Sequence, residues 1–518
     1  MGLREDLLNH YGLNEAEFAS FCLFPTLDDL PRLDDDLASK IAKDRILEAI
    51  AHNEKVLIYG DYDCDGIMAC SIMAKCFIAL GGHASTYIPS RYLDGYGLTQ
   101  DNAEKIAKAG YSLVLLVDNG VSCEKEVSYL LSKGIETIII DHHELPASLP
   151  PSLSLIHPTT SRYGEVPVSA GYLSFIFSRF LLEKDDPYLL CLGALSTISD
   201  LMPIKGYNRA LLRLALSELN SHPHECFSLL SKKHRFDEET LGLEIIPKIN
   251  AIGRMVEDTT INRVVHYFVD AEGEKRQKLA LWMEEINTAR KTLSAKAYEE
   301  TSFDETLPGV FALTSLKEGL NGLLANRLMQ KTHKPCVVLS ASSSDPGAYV
   351  GSIRSQEGFL VPEFFLSAGK WLLRCGGHGH AGGFSIAKKD LNGFKEAFLD
   401  YAAKHPLVPV EEEAIPISLS EITFPTYRLV ESFGPFGFEW KKPIFSLGPL
   451  PTSSLQYVGE GKHISTPLGY HVKLLGFHMN QVDIAKRETV SFRGSFALGE
   501  YRGNDELEFR LVQIIEER

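Results

Sequence analysis

Several things are scarce in this 518-residue sequence, and each scarcity narrows the field. No apolar run approaches the roughly 18 residues that a bilayer-spanning helix needs, so no membrane association is expected. The amino terminus, MGLREDLLNHYGL, lacks a basic stretch followed by an apolar one, and Asp6 stands where a myristoylation motif requires Ser or Thr. Cysteine is limited to nine residues, an odd number with no C-x-x-C pair, which argues against a disulfide framework and for reduced thiols in the cytoplasm. Positive charge is also short: 52 basic against 68 acidic side chains leave a net charge of −16, which disfavours indiscriminate duplex binding. Low-complexity tracts and internal repeats are not evident. What is present is an ordinary globular balance, 44% apolar and 23% charged, and a length that at about 150 residues per domain predicts three domains.

The first segment, about 1–50, reads as helical and acidic; its runs at Asp28-Asp29 and Asp34-Asp36 are solvated faces with no assigned role. From 55 onward, short apolar runs alternate with helical stretches: KVLIYG (55–60), STYIP (85–89), SLVLLVD (112–118), ETIIID (136–141) and LSLIHP (153–158). Runs that are apolar on both faces and separated by helices describe a buried parallel sheet covered on both sides. Helices dominate 168–270, and a long polar helix over about 274–302 leads to a second α/β region with strands near 309–314, 335–340 and 347–353. A linker is expected at 405–413, and 414–518 alternates as a small antiparallel barrel or sandwich would.

Ligands of an open parallel sheet gather at the carboxyl ends of its strands. Here three strands end in acidic or imidazole groups: Asp61-Tyr62-Asp63-Cys64-Asp65-Gly66, Asp118-Asn119-Gly120 and Asp141-His142-His143. Carboxylates brought that close repel one another unless cations sit among them, and mixed oxygen and imidazole donors favour Mn²⁺ or Mg²⁺. Singly, each motif has a plainer explanation, a turn at Asp118-Asn119-Gly120 or a satisfied pair at His142-His143. An EF-hand is excluded, because its twelfth position is Ile72 rather than Glu. Asp200, in LGALSTISDLMPI, is either a costly buried carboxylate or a helix-end cap before Pro203. The Gly-rich GGHGHAGG (376–383) lets backbone amides approach an anion.

Taken in order, DYDCDG, DNG, DHH and GGHGHAGG resemble the DHH phosphoesterase superfamily with its DHHA1 substrate-binding domain. YGDYDCDGI, IPSRYLDGYGLT, GALSTISDLMPI, PKINAIGRM, GSIRS and FGPFGFEWKKPIF make the chain similar, within it, to the RecJ single-stranded-DNA-specific exonucleases over about 40–518. The resemblance implies an α/β architecture: a DHH catalytic domain with the amino-terminal helical segment (1–270), a connecting helix (271–304), a DHHA1 domain (305–405) and an OB-type β-barrel (414–518). It implies two divalent cations, Mn²⁺ or Mg²⁺, held by Asp63, Asp65, Asp118, His142 and Asp200, with Asp118 bridging and Asp61 and His143 in supporting or acid/base roles. Arg91, Arg254, Ser352, Arg354 and His378 would contact the substrate, and aromatics interleaved with lysines in 414–518 would grip a single strand, Lys441, Lys442, Lys462 and His463 foremost.

The implied activity is 5′→3′ hydrolysis of single-stranded DNA to mononucleotides in repair and recombination, with a helicase and a single-strand-binding protein as partners. A monomer is expected, since three domains enclose their own cleft. The alternatives are a phosphodiesterase acting on short oligoribonucleotides or cyclic dinucleotides, which typically lacks the barrel, and a catalytically inactive replication adaptor, which loses metal ligands. Three stretches depart from the family pattern: GLNGLLANRL (319–328), INTARK with Lys291 in place of Gln, and FGFEWKKP.

Overall fold

The computed structural model describes residues 2–95, 97–160, 166–408, 413–484, 486–501 and 504–515. It divides into two compact units, one of residues 26–410 and one that joins residues 1–25 to 411–518. Among the described residues no helix is long and apolar enough to cross a membrane. All nine cysteines are free thiols, seven buried, Cys22 partly so and Cys375 exposed.

In the larger unit, β1 (Val56–Tyr59), β2 (Ala84–Tyr87), β3 (Leu113–Val117), β4 (Glu136–Ile140) and β5 (Ser154–Ile156) form an all-parallel sheet in the order β2-β1-β3-β4-β5. β1 and β3 are buried along their whole length, as apolar runs covered on both faces must be. The chain leaves β1 toward β2 on one side and returns to β3 on the other, so the strand order reverses at the β1/β3 seam. Loops diverge there, and a crevice opens beyond the carboxyl ends of the strands. The helix Cys64–Ala79 starts directly after β1 and is buried nearly throughout, packed against helices Ala170–Leu182 and Pro187–Ser199.

The helix Gly273–Glu300 leads to a mixed second sheet of β6 (Val310–Thr314), β7 (Cys336–Ala341), β8 (Ala348–Arg354), β9 (Leu372–His378) and β10 (Ala381–Ala387), in the order β6-β7-β8-β10-β9. Its two faces carry separate cores. Leu324, Ala325 and Leu328 pack on Val310 and Val338, while Phe359, Phe364, Phe394 and Phe398 pack on Val337 and Leu339.

The smaller unit pairs seven strands: β11 (Ala414–Ile417), β12 (Ile444–Pro451), β13 (Tyr457–Val458), β14 (His463–Gly469), β15 (Val472–Gly476), β16 (Thr489–Tyr501) and β17 (Asn504–Ile515). Their order, β11-β12-β16-β17-β15-β14-β13, includes two parallel pairs, β11/β12 and β15/β17, where an antiparallel set was expected. Residues 409–412 of the expected linker lie outside the described residues.

The amino-terminal segment departs from expectation. Helices Leu3–Tyr11 and Glu15–Cys22 belong to the smaller unit rather than to the catalytic region 1–270. The reason is aromatic packing: the Phe18 ring lies 4.4 Å from Phe433, and Tyr11 stacks on Phe433 and Trp440 at 5.0 and 4.6 Å. Leu7, Leu8 and Phe18 complete a core whose other members all come from 415–511. Phe18→Ala is therefore expected to cost about 3–5 kcal/mol, the usual price of a buried Phe truncation. In calorimetry of the whole chain, the loss should fall on the unfolding of the strand-rich C-terminal unit and leave the rest of the endotherm in place.

Candidate active site

The loop after β1 is shaped by close approaches. A Cβ on Gly66 would lie 2.4 Å from the Asp61 nitrogen, and one on Gly253 would lie 2.2 Å from the Tyr62 carbonyl, so both positions exclude side chains. Asp63 caps the helix Cys64–Ala79, its Oδ1 accepting from the Asp65 and Gly66 amides at 3.0 and 3.3 Å. Asp65 points the other way, into the N-terminus of the helix Ala170–Leu182, where the Ala170 and Gly171 amides donate to Oδ2 and Oδ1 at 2.9 and 2.7 Å. Asp118 follows β3 with a left-handed φ of 60°.

These loops bring the expected residues together. His142 Nε2 lies 3.3 Å from Asp200 Oδ2, 3.4 Å from Asp118 Oδ1 and 3.6 Å from Asp65 Oδ2. Asp61, Asp63 and Asp118 present oxygens within 4.8 Å of one another, and so do the donors of Asp65, His142 and Asp200 and those of Asp118, His142 and His143. Asp61, Asp65 and Asp118 are buried, whereas the Asp200 and His143 side chains are about a third exposed (31% and 34%), so the cluster opens on their side.

The electrostatics are those of anions confined together. Burial first, and neighbouring carboxylates second, push Asp61 and Asp200 up to about 8 and Asp65 up to about 7. Asp118 is raised well above the usual range by the same two causes. His142 falls to about 4, chiefly through burial and then through His143. Three oxygens crowd one imidazole nitrogen that carries at most one proton, and Asp61 Oδ1 and Asp200 Oδ2 are buried without a hydrogen-bond partner. A set of hard oxygen donors with one neutral imidazole and orphaned carboxylate oxygens fits divalent cations.

Two supports escaped the sequence-derived site. Asp141 is not part of the cluster. Its oxygens accept from the Val121, His142 and His143 amides at 3.1, 2.8 and 3.2 Å and from His143 Nδ1 at 2.7 Å, tying the loop after β3 to the loop after β4. Burial works to raise it, but the His143 contacts win and hold Asp141 at about 2, while the same pairing overcomes the effect of burial on His143 and lifts it to about 9. His157, buried at the end of β5, accepts from the Thr159 amide on Nδ1 and therefore donates Nε2–H to the His143 carbonyl at 2.8 Å. An imidazole at a strand end is visible in LIHP, but its partner 14 residues away is not.

Beside the cluster lies a cationic pocket. Arg91 stacks over Tyr62 at 4.1 Å, and Arg254 donates to the Gly319 carbonyl at 3.3 Å. Arg354 approaches from the end of β8, and a Cβ on Gly322 would lie 2.7 Å from its Nη2 and 3.4 Å from Ser352 Oγ. Burial, then Arg91 and Arg354, push Arg254 down to about 10, and burial with Arg91 lowers Arg354. Among the described residues none of the three forms a salt bridge to a carboxylate. Arg290, absent from the sequence-derived set, adds to the same positive field, with both Nε and Nη2 on the buried Asn287 Oδ1 at 3.1 and 2.8 Å. The side chain of His378 lies outside the described residues; its backbone pairs with Ala381 across the β9/β10 turn.

In the smaller unit the expected strand grip is divided. Phe433, Phe436 and Phe492 are core, whereas Phe438, Tyr470 and Phe477 are exposed. Lys442 is not an open contact: it pairs with Glu431 at 2.8 Å, and Lys462 pairs with Glu460 at 3.3 Å.

Residues 55–189 match the DHH family, N-terminal domain, and residues 414–513 match the RecJ OB domain. The single-stranded-DNA-specific exonuclease RecJ of Bacillus subtilis is 27% identical across 96% of this chain, and that of Thermus thermophilus is 28% identical across 90%. The chain spans 65% of the length of the first relative and 69% of the second. A crystal structure of Thermus thermophilus RecJ in complex with Mn²⁺ superposes with a TM-score of 0.80 at 24% identity, covering 95% of this chain and 73% of that one. The parallel sheet and its clustered strand ends are the part of the chain that matches the DHH family, N-terminal domain. Within that family the chain is similar to the RecJ exonucleases, by its RecJ OB domain match and by relatives that share 27–28% of its residues.

Proposed function

We propose that this chain is a metal-dependent exonuclease that degrades single-stranded DNA 5′→3′ to mononucleotides in repair and recombination. The observation that carries this is the adjacency of a carboxylate–imidazole cluster and a group of arginines that, among the described residues, have no salt-bridged carboxylate. The first fits cations and the second fits a phosphate. The preference for single strands follows the names of the RecJ relatives, whereas the 5′ polarity and the OB unit's role as a strand grip rest on the motif resemblance alone. A cytoplasmic monomer working with a helicase and a single-strand-binding protein completes the proposal.

Asp63, Asp65, Asp118, His142 and Asp200 would hold two Mn²⁺ or Mg²⁺ ions, Asp118 being the residue shared by two of the converging donor groups. When bound, such ions neutralise the phosphodiester and make a water molecule nucleophilic at neutral pH. Arg91, Arg254 and Arg354 would hold the terminal phosphate and so fix which phosphodiester reaches the cluster. Asp141 holds His143 through Nδ1, so any proton His143 passes to a departing oxygen would leave from Nε2. Asp61 completes the anionic floor.

The test is digestion of end-labelled single-stranded and duplex DNA, dinucleotides and cyclic dinucleotides with Mn²⁺ or Mg²⁺. Mononucleotides released from the 5′ end of single strands are expected. Activity confined to dinucleotides would overturn the proposal in favour of a short-oligonucleotide phosphodiesterase, and no activity at all in favour of an inactive adaptor. Arg254→Met should raise KM on a 5′-phosphorylated strand about 10- to 100-fold, the worth of one charge-assisted hydrogen bond, and raise it much less on a 5′-hydroxyl strand. Equal losses on both would place Arg254 elsewhere than on the terminal phosphate.

A further inference from the structure

Asp65 is 1% exposed, and its two oxygens are not treated alike. Oδ1 accepts from two donors, the Gly171 amide at 2.7 Å and the Ser196 hydroxyl. Oδ2 accepts from one, the Ala170 amide at 2.9 Å, and lies 3.6 Å from His142 Nε2. Ser196 is itself fully buried and has a second contact, Ser169 Oγ at 2.5 Å.

With cations bound Asp65 is an ionised carboxylate, which only accepts, and the direction of these bonds is then fixed: Ser196 donates its one proton to Asp65. Ser169 must then donate to Ser196, and Ser169 Oγ in turn accepts from the Tyr172 amide at 3.3 Å. A one-way chain thus runs from the N-terminus of the helix Ala170–Leu182 through Ser169 and Ser196 to Asp65 Oδ1, and donors aligned in series strengthen one another.

We propose, on the footing of the metal centre proposed above, that Ser196 is a positioning residue that makes Asp65 a one-oxygen ligand. By filling the second lone pair of Oδ1, it leaves Oδ2 as the oxygen with acceptor capacity, turned toward His142. The placement is economical in the chain as well: Ser196 lies one helical turn before Asp200, whose amide donates to the Ser196 carbonyl at 3.0 Å. One helix end therefore supplies both a cluster member and the group that orients another. Supports of this kind typically contribute 10- to 100-fold to metal affinity.

The test is Mn²⁺ affinity of the full chain, read from the electron paramagnetic resonance of free Mn²⁺, alongside the melting temperature in EDTA. Ser196→Ala is expected to bind Mn²⁺ about tenfold more weakly with little change in melting temperature. Ser174→Ala, on the packed helix Ala170–Leu182, removes a buried hydroxyl that has no partner and should keep wild-type affinity. Wild-type affinity in Ser196→Ala, or an equal loss in Ser174→Ala, would overturn the role of Ser196 alone. A wild-type protein that binds no Mn²⁺ would overturn the metal centre itself, and this inference with it.

Discussion

Asp118→Asn is expected to reduce hydrolysis by about 10³-fold or more while raising the melting temperature of the metal-free protein. The first effect follows from position. Asp118 is shared between two groups of converging donors, one with Asp61 and Asp63 and one with His142 and His143, so no other side chain there can substitute for it. Charge stabilisation by catalytic metals is worth several kcal/mol, and each ~1.4 kcal/mol is tenfold in rate. The second effect follows from its surroundings. Asp118 is buried among Asp65, Asp63, Asp61 and Asp200, all of which disfavour its charge, so an isosteric amide relieves the fold. Asn also tolerates the left-handed φ of 60° at this position. Circular dichroism melts in EDTA and single-strand digestion on the same preparation measure both. A destabilised Asp118→Asn protein would mean the carboxylate is a structural hydrogen-bonding group, contrary to the metal-centre proposal.

The metal-free protein is expected to lose stability as pH rises from about 4 to 8, and Mn²⁺ is expected to reverse the trend. Asp61 and Asp200, raised to about 8, and Asp65, raised to about 7, hold protons in the folded state that the unfolded chain has already released. For a raised pKa, the stability present below the unfolded value is lost as pH climbs through the folded one. His143, raised to about 9, adds the same sign above its ordinary range. His142, lowered to about 4, acts in the opposite sense between about 4 and 6.5, one group against three carboxylates. Asp141, held at about 2, matters only in stronger acid. Cations bind the deprotonated carboxylates, so the Mn²⁺-induced rise in melting temperature should grow from pH 5 to pH 8. Saturation at a thousand times Kd corresponds to about 4 kcal/mol. A flat profile in EDTA, or equal Mn²⁺ shifts at pH 5 and pH 8, would contradict clustering of ionisable carboxylates at the metal site.

Legibility in the sequence followed the range of the interactions concerned. Asp63, Asp65, Asp118 and His142 were readable because each stands at the end of an apolar run, and strand ends of one parallel sheet share an edge. Asp200 was ambiguous, since the same Asp closes the helix Pro187–Ser199 and also faces the cluster; its 3.3 Å approach to His142 resolves this. Asp141 and His157 were missed as supports because their roles are hydrogen bonds between successive strand ends. Arg290 was missed because its field acts on Arg254 across two helices. Lys442 read as an exposed basic contact, yet Glu431, eleven positions earlier, takes its charge.

The sequence by itself determined the element types, the buried parallel sheet, the residues at its strand ends and the family resemblance, because periodicity and motif order are local properties of the chain. The tertiary structure alone decided which side chains orient the others. Asp65 and Ser196 meet across 131 positions, and Phe18 meets Phe433 by carrying the amino-terminal helices into the C-terminal unit. No local pattern encodes such pairings. They arise when separate elements bury their apolar faces together, and the polar groups left inside must then find partners wherever packing has placed them.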